Sequence, residues 1–294
     1  MHEHTNGHRR NYRLEEYRVP PDVPAMLLVI KIGGSILKEG ASRDLVDDLK
    51  EVVKTNKVIL VHGGGVEVTE IASKLGKQQK FIISPEGFRS RYTDKETIEI
   101  YTMVMAGKIN KQIVLALQTQ GIPAVGITGL DAATLQGERK TKLIHVDERG
   151  RKKVIDGGYT GRITQVNSGF LNLLLEKGYV PIVTPIALSQ DFEPLNVDGD
   201  RTAAIIAGAL KADRLILLTD VPGLMLKGQC VPKISATDVK EVCSSIGSGM
   251  STKVHAALEA LNQGVKEVSV TAGAGNQPIT SALNHKVGTV ITGE

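Results

Sequence analysis

The chain has no tryptophan, four phenylalanines and six tyrosines in 294 residues. Its interior must therefore be aliphatic. Its basic residues are not interleaved with rings on which bases could stack, which argues against nucleic-acid binding. Cysteine occurs twice, at Cys230 and Cys243. Two such thiols read as reduced groups of a cytoplasmic protein, not as a disulfide framework. The apolar runs are strand-sized, so no membrane span is expected. No apolar stretch follows the early arginines, as it would in a signal peptide. The P-loop pattern Gly-x-x-x-x-Gly-Lys-Ser/Thr is missing, and no Gly-x-Gly-x-x-Gly follows the first strand. A Gly-x-Ser-x-Gly elbow is absent, and so is cysteine–histidine zinc spacing, so no metal-ligand set is expected.

What remains is ordinary globular composition, 41% apolar and 23% charged, with a net charge of +4. Residues 1–25 hold four Lys/Arg and four Asp/Glu, with three of the seven histidines (His2, His4, His8). They are expected to form a disordered leader ahead of a domain spanning 26–294, with a start at Met26 as one reading. From Met26 the pattern repeats as strand, glycine turn, helix, which argues for a parallel sheet covered by helices. Strands are expected at Leu27–Ile32, Val58–Val61, Ala124–Ile127, Val180–Thr184, Arg214–Thr219, Glu267–Thr271 and Thr289–Thr292. A long helix is expected to open at Thr93, its N-cap in a capping box with Glu96, and to run to about Gln118. Residues 137–156 read as a polar excursion carrying a hairpin about Asp147-Glu148-Arg149-Gly150.

Two lysines stand out. Lys31 lies inside the apolar strand Leu27–Ile32, just before Gly33-Gly34-Ser35, and Lys253 follows Gly249-Met250-Ser251-Thr252. Between them comes Asn196-Val197-Asp198-Gly199-Asp200. Glycine turns after strands offer free N–H groups at helix starts, where anions bind. Fixed ammonium groups beside such turns suit phosphoryl transfer, in which the travelling group carries spread negative charge. Asp200 is placed to hold the lysines apart. Asp198 and Asp200 are both also placed to cap the helix expected from Arg201. His62, before Gly63-Gly64-Gly65, reads as a turn residue more than as a catalyst.

Six motifs in this order resemble the amino acid kinase family and its acetylglutamate kinase branch. They are Val29-Ile30-Lys31-Ile32-Gly33-Gly34, His62-Gly63-Gly64-Gly65, Gly87-Phe88-Arg89, Asn196–Asp200, Leu218-Thr219-Asp220-Val221-Pro222-Gly223 and Gly249–Lys253. The resemblance implies a three-layer αβα sandwich around a mainly parallel sheet. It implies an acceptor-binding and dimer-forming part at 26–187 and a nucleotide-binding part at 188–294. By the same resemblance Lys31 and Lys253 stabilise the transferring phosphoryl group and Asp200 organises them. Gly64 and Gly65 bind the acceptor amino acid, Arg89 pairs with its carboxylate and Asn196 holds its other end. Gly33, Gly34, Thr219, Asp220 and Gly223 belong to the nucleotide, supplied as ATP with Mg²⁺.

Some residues depart from that branch. Asp198 stands where Asn is common, Ser84–Asp94 is unusually basic, and Asp156-Gly157-Gly158-Tyr159-Thr160-Gly161-Arg162 ends on a base where an acid is usual. From Thr134 to Lys153 there are seven Lys/Arg against three acids. These features resemble the LysW-aminoadipate/LysW-glutamate kinases, whose acceptor is joined to the small acidic carrier protein LysW. That resemblance implies a cytoplasmic homodimer of lysine and/or arginine biosynthesis. An N-acetylglutamate kinase is the alternative, and a silent nucleotide sensor a remoter one.

Overall fold

In the computed structural model the described residues are 25–37, 41–85, 87–242 and 246–293. The leader before Ala25 and Cys243 lie outside them, while Cys230 is an exposed free thiol. Eight strands form one sheet in the order Lys233–Ser235, Thr289–Thr292, Glu267–Ala272, Arg214–Thr219, Leu27–Ile32, Lys57–His62, Val180–Thr184, Ala124–Thr128. Each neighbouring pair is parallel except Glu267–Ala272 with Thr289–Thr292. The sheet runs without a break through both halves of the chain. Strand 27–32 is hydrogen-bonded to 57–62 on one side and to 214–219 on the other.

Alternation along the central strand assigns the layers. Leu28, Ile30 and Ile32 enter one core, with Leu45, Ile98, Ile113 and Ile279 from the helices Arg43–Val52, Lys95–Thr102, Asn110–Thr119 and Pro278–Leu283. Val29 enters the other, with Leu171, Ala203 and Val254 from the helices Ser168–Glu176, Gly199–Ala209 and Ser248–Asn262. The architecture is the expected three-layer αβα sandwich. Lys31, two residues beyond Val29, faces the second layer.

A smaller four-stranded sheet is formed by Pro194–Asn196, Ile186–Ser189, Leu135–Arg139 and Gly161–Val166. Two hairpins project from this region: Phe81–Ile83 with Arg89–Arg91, and Lys142–Val146 with Lys152–Asp156. They touch where the Ile83 N–H donates to His145 Nδ1 at 3.3 Å. Among the described residues no helix is long and apolar enough to cross a membrane.

The expected long helix differs in two respects. Its cap is Asp94, whose side chain accepts from Thr97 N–H at 2.8 Å. Thr93 is fully buried and its hydroxyl is already engaged, donating to Arg91 O and accepting from Asn196 Nδ2 at 2.9 Å. The middle, Met103–Ile109, is π-helical. Met105 and Ile109 of this turn press on Gly64, where any Cβ would overlap them. A π-turn accommodates an extra residue within a helix and commonly marks a functional site.

One buried acid ties distant segments together. Asp48, 2% exposed, accepts from Ile279 N–H at 2.7 Å and Thr280 N–H at 3.1 Å, and from the Thr280 hydroxyl. The helix Pro278–Leu283 has no side-chain cap of its own. Asp48 supplies that cap from another helix. Asp48→Ala strands two buried donors and should lower unfolding free energy by about 2–3 kcal/mol, whereas Asp48→Asn should lose less. Urea unfolding with equal slopes checks this; an unmoved midpoint in the alanine variant refutes it.

Candidate active site

The six strands that run in one sense, 267–272, 214–219, 27–32, 57–62, 180–184 and 124–128, deliver their following loops to one sheet edge. There Gly33 N–H donates to Leu218 O at 3.0 Å and Gly63 N–H to Ile32 O at 2.8 Å, extending the ladder one residue past the strands. The two glycine loops then meet. A Cβ on Gly34 would stand 2.7 Å from Gly64 N, and one on Gly63 would stand 2.7 Å from Gly34 N. Only glycine permits this approach. Among the described residues the N–H groups of Gly34 and Gly64 find no protein acceptor. They are donors held ready for an anion.

Above these loops lies Asp200. Its Oδ1 is 2.7 Å from Lys31 Nζ and its Oδ2 is 3.1 Å from Lys253 Nζ. The three side chains are only 7–14% exposed. Lys31 comes from the sheet, Asp200 from the first turn of helix 199–209, and Lys253 from helix 248–262. Burial alone would push the Asp200 carboxyl upward. The two ammonium groups outweigh it and hold the carboxyl below its ordinary value, so it is ionised at neutral pH. The triad carries a net charge of +1 beside unpaired N–H groups.

The capping question is settled by geometry. Asp198 is the N-cap, accepting from Arg201 N–H at 2.9 Å, which leaves Asp200 to the lysines. Arg201 itself makes a two-pronged contact with Glu259, both at 2.9 Å, clamping helix 199–209 to the helix that carries Lys253.

On the acceptor side, Gly64 and Gly65 open helix Gly65–Lys74. Arg89 lies at the exposed end of its hairpin, stacked 3.6 Å above the centroid of Phe81. The structure does not bring it against the glycine loops. It brings Arg91 there instead. Arg91 is buried and donates to Gly65 O at 2.6 Å, to Thr69 Oγ1 at 2.9 Å and to Gln79 Oε1. No carboxylate among the described residues pairs with it. Burial, with the charge of Arg89 acting the same way, pulls its pKa below the ordinary guanidinium value. Sequence spacing could not separate the two arginines, since positions 89 and 91 share a strand face. Asn196 donates to Thr93 Oγ1 at 2.9 Å, and its own N–H donates to Tyr159 O at 2.8 Å. Phe88, at the hairpin tip, meets His255 edge-on at 5.2 Å, so this hairpin reaches across to the helix of Lys253.

On the other side of Lys253, a cleft of about 240 Å³ is lined by Thr219, Asp220, Gly223, Gly247, Gly249, Met250 and others. It gathers the second-half residues that the motifs single out, with Thr219 donating to Asp220 Oδ1 at 3.1 Å. Gly33 lies across strand 214–219 from them, bonded to Leu218.

The arrangement joins two lysines from opposite halves, a bridging acid and glycine loops at one edge. Comparison with known proteins identifies the family. The model of the amino acid kinase family matches residues 26–272. A protein of Nitrosopumilus maritimus, provisionally named a LysW-aminoadipate/LysW-glutamate kinase, is 47% identical over 268 residues, 91% of this chain and all of that one. The LysW-aminoadipate/LysW-glutamate kinase of Saccharolobus solfataricus is 42% identical over 266 residues, 90% of this chain and 99% of the other. Among solved structures, N-acetylglutamate synthase from Neisseria gonorrhoeae superposes with a TM-score of 0.77 at 22% identity. The match covers 96% of this chain, which spans 61% of the synthase's length. Carbamate kinase from Giardia lamblia bound to AMP-PNP gives 0.61 at 17% identity, covering 92% of this chain and 99% of that one. The chain belongs to the amino acid kinase family.

Proposed function

We propose that this chain transfers the γ-phosphoryl group of MgATP to the side-chain carboxylate of aminoadipate or glutamate carried on LysW, in lysine and/or arginine biosynthesis. The observation that carries the chemistry is the Lys31–Asp200–Lys253 bridge above paired glycine loops. The names of relatives 42–47% identical over nine-tenths of the chain support the choice of acceptor.

The acceptor carboxylate, with a pKa of about 4.3, is already a nucleophile at neutral pH. One of its oxygens bonds to the γ-phosphorus as the bond to the β,γ-bridging oxygen breaks, leaving ADP and an acyl phosphate. No general base is needed. The obstacle is anion meeting anion, and Lys31 and Lys253 lower it by facing the charge that spreads over the moving group. Asp200 keeps both ammonium groups aimed. Gly33 and Gly34 of the first part, with Thr219, Asp220 and Gly223 of part 188–294, serve the nucleotide. Gly64 and Gly65 of part 26–187, with Asn196 from the second part, serve the acceptor. Arg91, its terminal nitrogens already held by Gly65 O, Thr69 and Gln79, brings a fixed positive charge to the acceptor's free carboxylate, with Arg89 at the mouth. Mg²⁺ comes with the nucleotide's phosphates, its usual ligands. The described residues include no cluster of three or more His, Cys, Asp or Glu to hold it otherwise.

The excursion supplies a face for an acidic carrier. Arg151 and Lys153 are spent on Asp147, Arg139 on Glu193, and Arg162 on Glu138. Lys142, Arg149 and Lys152 are exposed and have no ion pair among the described residues. Their charge steers encounter more than it adds affinity. We place the enzyme in the cytoplasm as a homodimer.

Incubation with MgATP and hydroxylamine should trap a hydroxamate from LysW-linked aminoadipate or glutamate. Turnover of N-acetylglutamate alone, with none of the carrier-linked acceptor, rejects the LysW reading and keeps the kinase. Lys31→Ala and Lys253→Ala should each lower kcat at least about 100-fold, roughly 3 kcal/mol of lost transition-state stabilisation. Unchanged turnover in a coupled ADP assay would sink the two-lysine mechanism. Arg91→Lys should raise the acceptor KM about tenfold or more with ATP KM steady, and Arg89→Ala less. The reverse order would return the role to Arg89.

A further inference from the structure

We propose that His62 is a positioning residue, a neutral imidazole protonated on Nδ1 that fixes the Gly63–Gly64 peptide facing the acceptor. This rests on the Gly64–Gly65 loop being the acceptor's contact.

His62 ends the strand Lys57–His62 and is completely buried. Its Nδ1 lies 3.0 Å from Gly63 O, and its Nε2 lies 2.9 Å from Thr184 Oγ1. A carbonyl only accepts, so Nδ1 carries the proton. Asn110 Nδ2 donates to Ile182 O at 2.8 Å and to Thr184 Oγ1 at 3.0 Å. The Ile182 carbonyl fixes which way that amide faces. The same amide nitrogen also lies 3.4 Å from His62 Nε2, so Nε2 faces two donor groups, the Thr184 hydroxyl and the Asn110 amide, and accepts. Asn110 Oδ1 accepts from Lys111 Nζ at 3.1 Å, and Lys111 also reaches Gly126 O at 3.1 Å. Position 126 is glycine because a Cβ there would overlap the Asn110 amide. Whichever of Thr184 and Asn110 gives the proton, Nε2 is the acceptor.

Protonating Nε2 would turn two donors on each other and leave the Thr184 proton without an acceptor. Burial, with the charges of Lys111 and Lys31 adding to it, pushes the imidazole down to about 4, against the pull of the Gly63 bond. The ring therefore stays neutral where the enzyme works.

A peptide is planar, with C=O and N–H antiparallel. Holding the Gly63 carbonyl toward the ring turns the Gly64 N–H away from it. Gly34 closes one side of Gly64, and Met105 and Ile109 of the π-turn close another. The imidazole supplies the remaining restraint. A turn alone requires no ring here. An oriented N–H does.

Two substitutions divide the ring's functions. Asparagine can reproduce the Nδ1–H donor but not Nε2; glutamine reaches Thr184 but not the Gly63 carbonyl. Long-range ¹H–¹⁵N correlation of histidine-labelled full-length enzyme at neutral pH should show a bare, accepting Nε2 for His62. In H62N the acceptor KM should stay within about threefold, and in H62Q it should rise about tenfold or more, one hydrogen bond's worth. AMP-PNP affinity should stay within about twofold in both. If H62Q fails to fold, Thr184→Val, which unties Nε2 and frees the ring to turn, should raise the acceptor KM in its place. A protonated Nε2 overturns the proposal. So do equal losses in H62N and H62Q that track their melting temperatures. If H62Q weakens AMP-PNP and spares the acceptor, the loop's assignment to the acceptor is what fails.

Discussion

A single carboxylate shared by two ammonium groups governs how this molecule is built. Two like charges about 5 Å apart repel by roughly 3 kcal/mol at an effective dielectric constant near 20. Asp200, 2.7 and 3.1 Å from Lys31 and Lys253, offsets a repulsion of that kind between them. Each partner reaches this point for a reason of its own. Strand alternation turns Lys31 toward the second helical layer. Asp198 takes the cap and so frees Asp200 in the first turn of its helix. The Arg201–Glu259 contact fixes the helix of Lys253 against that of Asp200. Arg201, the basic half of the pair that aligns these helices, is the residue after Asp200 in sequence.

The triad is the inverse of a stability device. Buried ion clusters commonly contribute little net stability, because desolvation offsets attraction. This one sets two ammonium groups on one carboxylate, with Asp198 within electrostatic reach, next to N–H groups that have no protein acceptor among the described residues. Arg91, buried with neutral partners, adds a further cation beside the Gly65 carbonyl. Stability alone gives no reason to gather cations in this way, whereas anionic ligands do.

Much of this was legible in the sequence, for a reason that also sets the limit. Periods of 2 and 3.6 and glycine punctuation report faces and edges, so the strands of the main sheet and its covering by helices followed from spacing, while the three-layer sandwich followed from the motifs' resemblance. Spacing does not report which polar group wins a contested partner. Thr93 and Asp94 can each cap a helix, and Asp94 wins because Asn196 and Arg91 O already occupy the Thr93 hydroxyl. Arg89 and Arg91 share a face, and only the docking of their hairpin buries one and leaves the other on Phe81. The π-turn answers to the absent Cβ of Gly64, forty residues away in the chain. In each case the deciding contact is long-range, and local patterning carries no trace of it.

The basic excursion shows the same limit for charge. Counted along the chain, seven bases against three acids suggest one broad positive surface. Folded, several are cancelled within their own neighbourhood: Asp147 takes Arg151 and Lys153, Glu193 takes Arg139, and beyond the excursion Glu138 takes Arg162. What is left is a smaller set at the strand starts and the turn of one hairpin. That hairpin touches the other through His145, and the second crosses to the Lys253 helix through Phe88 and His255. The residual charge is therefore linked, through one hydrogen bond and one ring contact, to the helix that carries Lys253. On the proposed reading, a carrier that engages Lys142, Arg149 and Lys152 binds a hairpin joined by contacts to the helix of a phosphoryl-facing lysine, and an acceptor without a carrier makes no use of that link.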